Sequence, residues 1–153
     1  MSYLQLFLVC LSDFHTLFHV VNPEKVPCGN VLESAKYLGL ATGLVVTSSI
    51  TDATPASFSA HVINRTMEAD IAVQQIGDNP LGRQVDLMFG GGRCFFLPNS
   101  TEGSCRVDER DLVNESRERG FKYFSTRKEF DDLVPGKDKY DLCHALFVFT
   151  NIL

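Results

Sequence analysis

The chain has 153 residues, enough for one ordinary domain or for part of a larger one. Hydrophobic residues make up 44% and charged residues 22%, which argues against wholesale disorder. The formal net charge is −5 and no run of Lys and Arg occurs, so a nucleic acid partner is not expected.

The N-terminal MSYLQLFLVCL has a short apolar core like that of a signal peptide, but no Lys or Arg precedes it. It is too short to span a membrane, as is the C-terminal ALFVFTNIL. Residues 22–29 read as a loop, restricted by Pro23 and Pro27 and released at Gly29. Asn30 is placed to cap a helix with Glu33 three residues on, and Val31, Leu32, Ala35 and Leu38 then recur at helical spacing until Gly39 stops it. The apolar, β-branched stretch 43–48 predicts a strand. Its loop leads to Thr54 as N-cap and Pro55 as first helical residue, with the helix running about three turns to Arg65. A further helix is expected over 68–75 and a second strand over 85–89, ending in Gly90-Gly91-Gly92. A polar loop over 98–107 precedes a helix over 108–119, stopped by Gly120. A short strand over 121–124, a short helix opened by Ser125 with Glu129, and a fourth strand over 145–150 complete the pattern. Strands alternating with helices, the first two strands apolar throughout, predict an α/β fold with a mostly parallel sheet flanked by helices. Ligands of such sheets sit at the carboxyl ends of the strands.

Five cysteines, Cys10, Cys28, Cys94, Cys105 and Cys143, show no CxxC spacing, so a structural zinc site is not signalled. Cys94 and Cys105 flank the polar loop and either bridge it or remain thiols; spacing leaves both open. Three Asn-x-Ser/Thr triplets begin at Asn64, Asn99 and Asn114 and matter if the chain enters the secretory pathway; Asn99, in the polar loop, is the best placed acceptor.

The stretch TDATPASFSAHVINR, residues 51–65, sits at a strand's carboxyl end. Asp52 and Thr54 offer hard oxygen donors of the kind Mg²⁺ takes alongside water. Arg65 offers a fork that fits two phosphate oxygens. Taken alone, caps and a dipole-favoured arginine account for the same residues. His61 has no second histidine at helical spacing and reads as a packing or surface residue, not a ligand. The glycine triplet lacks a Gly-Lys-Ser/Thr ending and is not a P-loop; a tight turn where side chains are excluded is the expectation.

The order of motifs carries a resemblance. PCGNVLESAK, TGLVVTSSITDATPASFSAHVINR, NPLGRQVDLMFGGGR and FKYFSTRKEFDDL follow one another as in the alkaline phosphatase family, most similarly to its fungal vacuolar branch. The match divides the chain into residues 1–20, unmatched; 21–133, a partial alkaline phosphatase domain; and 134–153, unmatched or weakly matched. The resemblance implies a metal-dependent phosphate monoester hydrolase that works through a phosphoserine with two Zn²⁺ and a supporting Mg²⁺. It implies Thr54 as a Mg²⁺ ligand, Asp52 beside that Mg²⁺ through water, and Arg65 as the arginine that binds the substrate phosphate. It further implies phosphate monoesters as substrates, a homodimer, and a vacuolar or secretory location. Vertebrate members carry histidine in place of Asp52, so this residue tunes the metal site.

The chain also departs from the family. Residues 1–20 do not match the stretch that carries the family's nucleophilic serine; Ser12-Asp13 has its letters in the wrong order. The family's zinc-binding Asp and His residues and its Mg²⁺-binding Glu have no counterpart, and His144 lies in no ligand motif. The expectation is a fragment that is inactive alone and exposes apolar surface, prone to aggregate or dimerise. A shortened, non-catalytic paralogue that binds phosphate or a protein, or an unrelated nucleotide-binding module built on the glycine triplet, are the alternatives.

Overall fold

The computed structural model describes residues 29–132 and the backbone of 145–148. Expectations for residues 1–28 (the apolar start, Ser12-Asp13, Cys10, Cys28 and most of the first loop), for Cys143 and His144, and for the end of the last strand lie outside the described residues.

Helix α1, Val31–Tyr37, begins as its sequence predicts: Asn30 Oδ1 accepts from Glu33 N and Glu33 Oε2 accepts from Asn30 N, both at 3.0 Å. Gly39, with φ of 78°, ends it in the left-handed region that a side chain disfavours. Strand β1, Gly43–Ser49, follows. Helices α2, Ala53–Ser59, and α3, Glu68–Gln75, lead to strand β2, Leu87–Gly91.

β2 is displaced by two residues from the expected 85–89. Asp86 N and Leu87 N both donate to Thr42 O, at 3.0 and 3.1 Å, so the chain is still turning into the ladder there. At the other end the strand continues through glycine because β1 comes too close for a side chain. A Cβ on Gly90 would lie 2.8 Å from Val46 Cγ2.

A 3-10 turn, Arg93–Phe96, then carries the polar loop to α4, Leu112–Glu118. α4 is shorter than the expected 108–119. Asp108 is held by Arg106 at 2.7 and 2.6 Å, and Arg110 reaches Asp78 at 2.7 Å and also pairs with Glu115. These residues tie the loop down, and Asp111 caps the helix instead, accepting from Asn114 N at 3.0 Å. Strand β3, Lys122–Phe124, helix α5, Arg127–Asp131, and strand β4, Ala145–Val148, follow. Thr126 caps α5 in a box with Glu129, one residue later than the expected Ser125.

The four strands form one parallel sheet in the order β1-β2-β4-β3. Its core gathers Ile50, Ile76, Val85, Met88, Phe96 and Leu112, all at or near zero exposure, with a satellite of Ala56, Ala60, Val62 and Ile71 under α2 and α3. Asp86, 3% exposed, bolts α1 to the start of the strands. Its carboxylate accepts from Lys36 Nζ at 2.5 Å, Thr42 N at 3.0 Å and Thr42 Oγ1 at 3.2 Å. Burial pushes its pKa up, but the bonds from Lys36 and Thr42 prevail and hold the carboxyl below its ordinary value. Large apolar side chains stay open to solvent among the described residues, Tyr37 at 92%, Leu38 at 74% and Val45 on β1 at 69%.

Candidate phosphate and metal site

β1 delivers the chain to a tight turn at the carboxyl end of the sheet. Asp52 N donates to Ser49 O at 3.0 Å, and Ile50 N donates to Gly91 O of β2 at 3.0 Å, so the turn is sewn to the neighbouring strand. Ile50 and Thr51 are fully buried, which fixes the turn from below.

The helix that follows starts earlier than the sequence predicts. Its N-cap is Asp52, not Thr54: Asp52 Oδ1 accepts from Ala53 N at 2.6 Å. Thr54 is therefore the second helical residue and Pro55 the third, where a missing N–H still costs no helical bond. Thr54 is exposed.

α2 also stops earlier, at Ser59, with Ala60 already extended (φ −151°, ψ 157°). Two causes are visible. Ser57 and Ser59 turn their hydroxyls back onto Thr54 O and Pro55 O, at 2.7 and 2.8 Å, a local bond that competes with helix propagation. The side-chain amide of Gln74 on α3 then takes both backbone groups of His61, accepting from N at 2.7 Å and donating to O at 3.0 Å, which holds the exit strand-like.

Arg65 consequently lies in the turn between α2 and α3 and not on a three-turn helix with Thr54. The chain nevertheless doubles back. Arg65 Nη2 donates to Asp52 Oδ1 at 2.7 Å, with the two side chains 53% and 43% exposed. Arg65 thus reaches Asp52 without a continuous helix between them; Thr54 sits two residues from Asp52 on the first turn of α2.

A second set of residues, which the sequence reading missed, holds this arrangement. Thr51 Oγ1 donates to Glu68 Oε2 at 2.6 Å, and Ser49 Oγ lies 2.6 Å from Thr51 Oγ1 and 3.4 Å from the same carboxylate oxygen. Gln75 Nε2 donates to Ile50 O at 2.7 Å and to Ser59 Oγ at 2.9 Å. Two side chains of α3 thus clamp the turn that presents Asp52, and Glu68 comes only three residues after Arg65. The available signal was an acid opening a helix directly after the arginine, a place the helix dipole favours. Gly92 completes the clamp: at φ 85° it passes so close that a Cβ would stand 1.9 Å from Ser49 Oγ. This agrees with the expected side-chain-free turn. His61 packs as expected, its Nε2 2.5 Å from Glu33 Oε1.

No group of three or more His, Cys, Asp and Glu side chains able to hold a metal ion occurs among the described residues.

The family model for alkaline phosphatase matches residues 15–150. The chain belongs to the alkaline phosphatase family. It is 56% identical over 115 residues to an alkaline phosphatase of Schizosaccharomyces pombe, covering 74% of this chain and 21% of that protein. It is 52% identical over 120 residues to the repressible alkaline phosphatase of Saccharomyces cerevisiae, with the same coverage of 74% and 21%. The chain thus spans about a fifth of the length of these relatives. Among solved structures, the alkaline phosphatase of Thermus thermophilus superposes with a TM-score of 0.63 at 29% identity, over 82% of this chain and 23% of that one. The enzyme of the Antarctic bacterium TAB5 gives 0.61 at 28%, over 82% and 31%, and a variant of it was solved with Mg bound in its M3 site. The parallel sheet described above is therefore part of an alkaline phosphatase fold.

Proposed function

We propose that this alkaline phosphatase chain provides the magnesium and phosphate side of a site that hydrolyses phosphate monoesters. The observation that carries the reading is the 2.7 Å pairing of Arg65 with Asp52 at the carboxyl end of the sheet, inside the motif shared with the family. Arg65 binds the phosphate through two N–H groups of its fork. Asp52 orders water beside Mg²⁺, and the Thr54 hydroxyl is a ligand of that ion. One hydroxyl ligand with a carboxylate acting through water suits an ion that keeps several waters in its shell. Magnesium, when bound, supplies positive charge next to the anionic substrate.

Thr51, Glu68 and Gln75 hold the turn still, so that Asp52 and Arg65 face one volume before substrate arrives. The donor set of the described residues does not fit the two Zn²⁺ of the family reaction. The 153-residue chain alone is accordingly read as a phosphate binder without turnover, and the whole enzyme as a homodimeric hydrolase.

The test is the whole enzyme with Arg65→Ala, assayed on p-nitrophenyl phosphate. Two charge-assisted bonds at about 1.5 kcal/mol or more each predict a fall in kcat/KM of about 100-fold or more. A change below about threefold would remove Arg65 from the phosphate.

A further inference from the structure

The polar loop beyond the glycine triplet takes no part in the site described above, yet it is closed by a covalent bond. Cys94 and Cys105 form a disulfide across a separation of 11 residues. The ring is anchored on its inner side. Phe96 is fully buried, and Arg106, 4% exposed, donates to Ala69 O at 3.0 Å and to Phe95 O at 3.1 Å. Cys105 N donates to Cys94 O at 3.0 Å beside the bridge. On the outer side, Thr101 N donates to Pro98 O at 2.9 Å, forming a turn whose two central residues are Asn99 and Ser100, both exposed. Asn99 N donates to Asp108 O at 2.8 Å, and the exposed Asn99 side chain makes no hydrogen bond among the described residues.

Asn99-Ser100-Thr101 is an Asn-x-Thr triplet whose middle residue is not proline. The structure separates it from the other two. Asn114 lies inside α4 with its amide donating to Glu118 Oε1 at 3.0 Å. Asn64 is folded onto its own triplet, its Oδ1 accepting from Thr66 N and Thr66 Oγ1 at 3.0 Å. Asn99 presents an exposed side chain at the tip of a disulfide-closed loop that can carry a large substituent outward.

The disulfide and the triplet are independent signatures of one environment. Structural disulfides persist in oxidising, extracytoplasmic compartments, and N-linked glycans are added in the secretory pathway. We propose that Asn99 carries an N-linked glycan and that the Cys94–Cys105 ring is oxidised in the same compartment during maturation. In the transfer, Asn99 Nδ2 forms a bond to the anomeric carbon of an oligosaccharide carried on a polyprenyl diphosphate. The carbon–oxygen bond to the diphosphate breaks, the diphosphate leaves with its electron pair, and one amide proton is released. In the oxidation, the two thiols lose two protons and pass two electrons to a disulfide-carrying oxidase by thiol–disulfide exchange. Neither step depends on the phosphatase reading.

A single peptide reports both modifications. Trypsin cleaves after Arg93 and Arg106, releasing residues 94–106 with Cys94, Asn99 and Cys105 together. The natural protein is purified from the cells that make it, alkylated without reduction, digested, and treated with peptide N-glycosidase in oxygen-18 water. The expected result is that this peptide is found free of glycan only after glycosidase, its mass shifted by conversion of Asn99 to labelled aspartate, with both cysteines unalkylated and bridged. An unlabelled Asn99, alkylated Cys94 and Cys105, or label at Asn64 or Asn114 in place of Asn99 would overturn the proposal.

Discussion

The Arg65–Asp52 pair sets up a competition whose size can be worked out. Phosphate must draw Arg65 away from a carboxylate that now holds it at 2.7 Å. With the side chains 53% and 43% exposed, water screens the pair, and its net strength is about 0–1 kcal/mol. The perturbation that isolates it is Asp52→Asn, since asparagine caps a helix as well as aspartate and leaves α2 intact. Two charge-assisted bonds from Arg65, at about 1.5–3 kcal/mol each less the opening of the pair, place phosphate affinity in the millimolar range. Phosphorus NMR titration of the purified chain measures that range directly. Without metal, Asp52→Asn should tighten phosphate binding up to about fivefold, the equivalent of about 1 kcal/mol. With Mg²⁺ the wild-type chain should gain, because the cation and its waters engage Asp52 and free Arg65; the asparagine variant should gain less. By linkage, phosphate should then raise Mg²⁺ affinity by the same factor. Weaker phosphate binding by Asp52→Asn in metal-free buffer would refute the competition, and so would an Arg65→Ala chain that binds as well as wild type.

Thr51→Val keeps the shape of a fully buried side chain but leaves the Glu68 carboxylate without its 2.6 Å donor, so it should cost about 1–3 kcal/mol and weaken phosphate binding at Arg65, read by urea melts and the same titration; unchanged values in both would dissolve the clamp. Asp86 has a folded pKa below its ordinary value, so its stabilisation is present above the unfolded pKa of about 3.9 and is lost as pH falls through the folded one. Asp86→Asn should therefore lower stability by about 2–4 kcal/mol at pH 7 and flatten the acid limb of a stability–pH profile; an acid limb identical to wild type would show that another carboxylate sets it.

The sequence showed the fold well where local chemistry decides. Asn30 with Glu33 closed the first helix end as spaced, Gly39 stopped it, and the apolar run after Gly43 became a strand of a parallel sheet. It misled where distant groups intervene. The length of α2 depended on Gln74, thirteen residues beyond His61, capturing that residue's backbone, and no pattern between 54 and 65 announces it. The start of α4 depended on Arg106 and Asp78 claiming Asp108 and Arg110 first. The site was legible in part: Asp52 and Arg65 meet, although the three-turn helix expected from Thr54 to Arg65 ends at Ser59. Thr51 and Glu68 went unnoticed because a hydroxyl and an acid seventeen residues apart carry no motif of their own.

The most direct test is a crystal structure of the whole enzyme with magnesium and inorganic phosphate. The expected result is two Arg65 N–H groups on two phosphate oxygens, Asp52 turned to the waters of a Mg²⁺ that touches the Thr54 hydroxyl, and the Thr51–Glu68 bond intact. Phosphate bound elsewhere, with Arg65 still resting on Asp52, would contradict it.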